Sequence, residues 1–159
     1  MGTFCGQSCR CHPLIMNRFR EWLLVIMGIA YAASLFWLPV FILEQSPYGL
    51  NRVFGSTILV GGWMDIFSWD FAWYANPLLL IALFRSKSKK RISAILLSIV
   101  AFLVAFQSWT ATEWWHNEAA STRILYLGPG YYVWHATLFL GAIYCYLGEK
   151  GSSQMPPIK

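Results

Sequence analysis

Charge is scarce in this chain. Of its 159 residues only 12% are Asp, Glu, Lys or Arg, against about 25% in soluble domains, while 57% are hydrophobic and 18% aromatic. A water-soluble fold of this size would have too little polar surface to cover itself, and the mean hydropathy of +0.49 agrees. Histidine is scarcer still. His12, His116 and His135 do not provide two facing axial ligands inside an apolar core, which speaks against haem. No nucleophile elbow, P-loop or HExxH motif occurs, so none of the chemistries those motifs carry is indicated.

The cysteines lack a partner set. Cys5, Cys9, Cys11 and His12 lie together as C-x3-C-x-C-H, but a structural zinc site pairs such a cluster with a second, distant pair, which is missing. Outer-face cysteine pairs for thiol exchange are missing too. No cofactor and no metal is therefore expected. Met1-Gly2 resembles a myristoylation start, yet Gly6 occupies the position that wants Ser or Thr. The preferred reading starts translation at Met16, because MNRFREWLLVIM is already a complete basic lead-in to a membrane span. Residues 1–15 are then non-native or disordered. The net charge of +5 does not indicate nucleic acid, since Arg85, Lys87, Lys89, Lys90 and Arg91 form one short burst between apolar blocks, without a nucleic-acid-binding motif.

What the chain has in abundance is long apolar runs. At ~1.5 Å per residue, residues 22–43 would reach about 33 Å and cross a bilayer core. Residues 92–109 and 130–147 make two more spans, the last preceded by Gly128-Pro129-Gly130. A fourth, 65–84, follows from counting twenty residues back from Arg85. Its helix must run through Pro77, freeing the Trp73 carbonyl, and Val53 to Met64 remains as an interfacial segment. The expected fold is thus all-α and polytopic, a single membrane domain of four transmembrane helices. Ten basic residues fall on one side of these spans and only Arg52 and Arg123 on the other, so both termini are expected in the cytoplasm.

Two features bear on packing and the outer surface. Ala94, Ser98, Ala101 and Ala105 form a small-residue stripe that would let another helix approach closely, and Gly28 with Ala32 makes a similar pair. Trp63, Trp69, Trp73, Trp109, Trp114, Trp115, Tyr126, Tyr131, Tyr132 and Trp134 map to the outer boundary, where an aromatic belt is expected.

Candidate site residues follow from depth. Asp70 and His135 fall in the outer half of the second and fourth spans, where they could pair across two helices with Asn76 one to two turns deeper. An ionisable group in a membrane marks a ligand or proton site by default, and interhelical hydrogen bonding is its structural counterpart. A weaker polar cluster is Glu113, His116 and Glu118, in EWWHNE. Its single Glu-x-x-His falls short of the two copies a di-iron bundle needs and suits a solvated outer loop.

The run GGWMDIFSWDFAWYANPLLLIALF, then a basic turn, a small-residue span and LGPGYYVWHATLFL resembles a group of small, uncharacterised bacterial inner-membrane proteins. FAWYANPLL followed by GPGYYVW is the most specific part, and the likeness covers the last two thirds of the chain. The resemblance implies a multi-pass inner-membrane location and supplies no catalytic residues. We expect a non-enzymatic protein that binds another membrane component, as an accessory or immunity protein does. The alternative is a small-solute carrier or membrane enzyme using Asp70 and His135.

Overall fold

Proline decides where the first apolar run stops being helical. The computed structural model describes residues 11–45, 49–62, 71–87, 91–117 and 120–152. Helix α1 (Cys11–Phe36) closes where the amides of Trp37 and Leu38 both donate to the Ala33 carbonyl. Leu38 precedes a proline and is disfavoured in helical geometry, and Pro39 opens strand β1 (Pro39–Gln45) instead. Strand β2 (Gly49–Phe54) folds back on β1, and the short helix α2 (Gly55–Gly61) follows. After a 3-10 turn, Ala72–Tyr74, comes α3 (Ala75–Arg85). Helix α4 (Arg91–Ala105) continues as a 3-10 turn, Phe106–Thr110. Strands β3 (Glu113–Asn117) and β4 (Ala120–Leu127) form a second hairpin before α5 (Pro129–Ser152).

The two hairpins join into one antiparallel sheet of order β2-β1-β4-β3. The central β1–β4 pairing sets Phe41 opposite Leu127 and Leu43 opposite Ile124, with irregularities in register at each of the three strand pairings. Such bulges bend a ladder and increase its twist, so the sheet curls over the helices. Beneath it Val40, Phe41, Leu43, Val53 and Trp114 pack on Tyr131 of α5. Because β1 follows α1 and β3 follows α4, the sheet caps one end of the helices, opposite the basic turn between α3 and α4.

The expected all-α architecture with four transmembrane helices is overturned. Five helices are joined by a four-stranded sheet, and among the described residues only two helical stretches, Asn17–Phe36 and Ile92–Thr110, are long and apolar enough to cross a membrane. The expected span 22–43 is helical only to Phe36, because hydropathy does not distinguish an apolar buried strand from a helix segment. The expected span 65–84 fails for a different reason. Phe71 is outside any helix and α3 starts at Ala75, which puts Pro77 in the first turn, where the missing N–H is tolerated. Residues 63–70 lie outside the described residues, so the interfacial segment is described only to Gly62, as the end of β2 followed by α2. The expected span 130–147 is helical within α5 but is not among the stretches apolar enough to cross. Residues 92–109 match α4 and its 3-10 continuation.

The exterior of the two apolar helices is the reverse of a soluble protein's. Only 17% of the Asn17–Phe36 window and 28% of the Ile92–Thr110 window is buried, whereas the core helix of a soluble protein is mostly buried. Trp22, Ile29, Ile92, Leu96 and Leu103 all face outward. An exposed apolar surface of that extent fits contact with a membrane or with another apolar surface.

Inside, small residues set the helix spacing. Ala94, Ser98, Ala101 and Ala105 are all fully buried, and α3 offers a matching face of Ala75, Leu79 and Ala82. Backbones meet closely there because little side chain intervenes. Gly28 does not behave as expected of a packing pair, since a Cβ built on it meets nothing within 4 Å. The expected aromatic belt also divides. Trp109, Tyr126 and Tyr132 are exposed, but Tyr131 and Trp114 are buried core residues.

The sheet is fastened to α5 where Gly128 and Gly130 pass Leu38 and Pro39. The Gly128 amide donates to the Val40 carbonyl at 2.8 Å. A Cβ at Gly128 would collide with the Pro39 carbonyl, and one at Gly130 would lie 2.5 Å from the Leu38 carbonyl oxygen. Overpacking of this kind costs about 1–3 kcal/mol. Gly128→Ala and Gly130→Ala should therefore lower the denaturation midpoint of the purified protein in detergent, while Gly28→Ala leaves it unchanged or raises it.

Candidate functional site

Polar side chains converge where the sheet meets the helices, and Asn76 is their centre. Pro77 has no N–H, so the carbonyl of Trp73, four residues before it, lacks an i+4 donor and accepts from the Ala75 amide at the end of the 3-10 turn. The Asn76 side-chain amide adds a second donor, Nδ2 reaching Trp73 O at 3.2 Å. Its Oδ1 accepts from Tyr31 Oη of α1 at 3.1 Å and from Trp134 Nε1 of α5 at 2.9 Å. One side chain thus ties three helices together. Trp73 is held in turn, its Nε1 donating to the Leu59 carbonyl of α2 at 3.1 Å.

Two cavities share this cluster. A pocket of about 60 Å³ lies under the sheet, walled by Val40, Phe41 and Trp114 with Ser34, Ser108 and Glu113. A groove of about 490 Å³ runs between α1 and α3, lined by Leu24, Met27, Gly28, Leu79, Leu80 and Leu83. Tyr31, Trp73 and Asn76 line both. On the groove's inner side α5 presents Thr137, and Gly141 sits where any Cβ would run into Leu79.

His135 occupies the second turn of α5, set among rings. Its ring centroid lies 4.3 Å from that of Tyr131, 5.0 Å from Trp134 and 5.3 Å from Phe106. Its Nε2 is 3.4 Å from Tyr131 Oη, and Ser108 Oγ lies 3.5 Å from the same hydroxyl while donating to the Ala105 carbonyl at 2.7 Å. His135 and Asn76 are therefore neighbours through Trp134 but share no direct hydrogen bond. The expected partner Asp70 lies outside the described residues.

The outer-loop cluster is reshaped. Glu113 and His116 are on β3, a strand, so the Glu-x-x-His spacing no longer has the helix that would set both on one face. Glu113 lines the mouth of the pocket, and Glu118 lies outside the described residues. Among the described residues no group of three or more His, Cys, Asp or Glu converges to hold a metal ion.

No family model, curated protein or solved structure matches this chain. The site thus rests on its own geometry. Sequence reasoning picked out Asn76 and His135 but missed Tyr31 and Trp134 as partners of Asn76. Tyr31 stood inside the first apolar run and Trp134 in the expected aromatic belt, and nothing in one sequence pairs residues 45 and 58 positions apart.

Removing the hub should be costly. Asn76→Ala leaves the Tyr31 hydroxyl and the Trp134 indole N–H without their acceptor, for a loss of about 2–4 kcal/mol. Tyr31→Phe, which removes one donor only, should cost about 1 kcal/mol. A double-mutant cycle by denaturant unfolding checks both figures, and the two substitutions should be clearly non-additive.

Proposed function

We propose that this is a multi-pass protein of the bacterial cytoplasmic membrane that acts by binding another membrane component, as an accessory or immunity protein does, rather than by catalysis. The supporting observation is the sheet. Two hairpins, one after each apolar helix, combine at one end of the helices into a single layer. Its outer strands, β2 and β3, have no further strand beside them among the described residues. Edge strands carry a row of backbone donors and acceptors that another extended segment can satisfy by strand addition. The partner is accordingly a membrane protein contributing an extended segment on the side away from the basic turn. The basic turn at Arg85 to Arg91 faces the cytoplasm by the positive-inside rule, which directs the sheet to the outer surface.

The packing of His135 among aromatic rings supports a structural role for that residue. A carrier or membrane enzyme would depend on Asp70 and His135 together. Deletion of the gene separates the two readings. A metabolite defect rescued by wild type but not by Asp70→Asn would overturn the binding role.

A direct test places a photo-crosslinking residue at Arg52 on β2, at Glu113 on β3 and at the outward-facing Leu103 on α4. One discrete protein adduct is expected from an edge strand and none from Leu103, with the adduct lost when proline replaces a neighbouring edge residue. Equal labelling at all three positions would sink the proposal.

A further inference from the structure

The shared wall between the two cavities has a meaning of its own. The groove between α1 and α3 is apolar along its length, and Leu24 to Tyr31 lie along about 10 Å of α1. Its volume falls in the range of small-ligand sites, about 300–1,000 Å³. At the sheet end it meets Tyr31, Trp73 and Asn76, and beyond them the smaller pocket with the hydroxyls of Ser34 and Ser108. A long apolar groove and a smaller pocket with a larger polar share, meeting at three hydrogen-bonding side chains, match an amphiphile.

We propose that groove and pocket together form a binding site for a neutral, single-chain lipid drawn from the bilayer, its aliphatic chain between α1 and α3 and its oxygen-bearing head at Asn76. Charge selects the head group. The described residues lining the pocket include no lysine or arginine, so a phosphate or carboxylate would be desolvated there without a counter-charge in the wall. A hydroxyl or ester suits the hydrogen-bonding side chains better. Asn76 Nδ2 has a second proton beyond the one donated to Trp73, and the Tyr31 hydroxyl, which donates to Asn76, can also accept. Access is lateral, because α1 presents the groove on an apolar helix that is itself mostly unburied. This site shares Glu113 with the β3 edge, but lipid binding does not require the strand-edge contact proposed above.

Gly28 makes the site testable. It lines the groove, and a Cβ there meets open space, so a larger side chain enters the groove without striking backbone. The probe is a monoacylglycerol with a mid-chain diazirine, incorporated with the full-length protein into phosphatidylcholine vesicles, photolysed and mapped by peptide mass spectrometry. Adducts are expected on the Leu24 to Tyr31 and Pro77 to Leu83 segments. Labelling there should fall about tenfold in Gly28→Leu, the scale on which a hydrophobic site rejects lost space, while labelling of Leu103 on the outer face of α4 stays constant. Excess unlabelled monooleoylglycerol should compete for the groove in the wild-type protein, which tests the site even if Gly28→Leu folds poorly. Equal labelling of groove and Leu103, or no competition, would mean bulk lipid contact only and overturn the site. Stronger labelling by lysophosphatidic acid bearing the same diazirine would overturn the neutral head group.

Discussion

The amide of Asn76 is the interaction on which the upper half of this structure depends. Pro77 has no N–H to give the Trp73 carbonyl just ahead of α3, and in an apolar surrounding that carbonyl gains from a side-chain donor beside the Ala75 amide. Asn76 supplies that donor with Nδ2 and keeps Oδ1 for Tyr31 and Trp134. The position of α3 relative to α1 and α5 is fixed by that geometry. The groove between α1 and α3 then exists because the three helices are tied at the sheet end and packed through α5 lower down, while Gly28 leaves the intervening face open.

The lower half is organised by size rather than polarity. The fully buried stripe of α4 and the alanine face of α3 bring two backbones together, and Cys145 and Tyr144 of α5 complete the core with Leu23 and Met27 of α1. At that end the Arg20 guanidinium lies 4.8 Å over the Tyr144 ring, a cation-π contact that lets a basic residue stay beside apolar neighbours. The sheet end is specified by hydrogen bonds and two glycines, the opposite end by small side chains. A ligand or partner that acts at the sheet end therefore meets the part of the molecule whose arrangement is set by a few directional contacts.

Sequence reading was accurate where periodicity carries the information and failed where it does not. The α4 stripe was legible because residues at i, i+4, i+7 and i+11 share one helical face, and all four are buried. The strands were invisible for the opposite reason. Pro39 to Leu43 is continuous in hydropathy with α1, so an apolar strand was absorbed into an apolar helix, and the hairpin at Glu113 to Leu127 read as a loop between spans. Asn76 was selected for its depth, one to two turns below Asp70 in the same apolar run. Its partners could not be, since Tyr31 and Trp134 meet it only through the packing of α1 and α5 on α3.

Composition and block length by themselves determined that the chain is poor in charge and carries apolar runs, two of which form helical stretches long and apolar enough to cross a membrane. The basic turn determined which end of the helices differs from the other. Tertiary structure alone decided that Pro39 begins a strand, that two hairpins far apart in sequence pair through β1 and β4, and that Asn76 holds three helices around a groove. Those outcomes depend on backbone hydrogen bonds and side-chain contacts between residues remote in the chain, and local hydropathy does not record them.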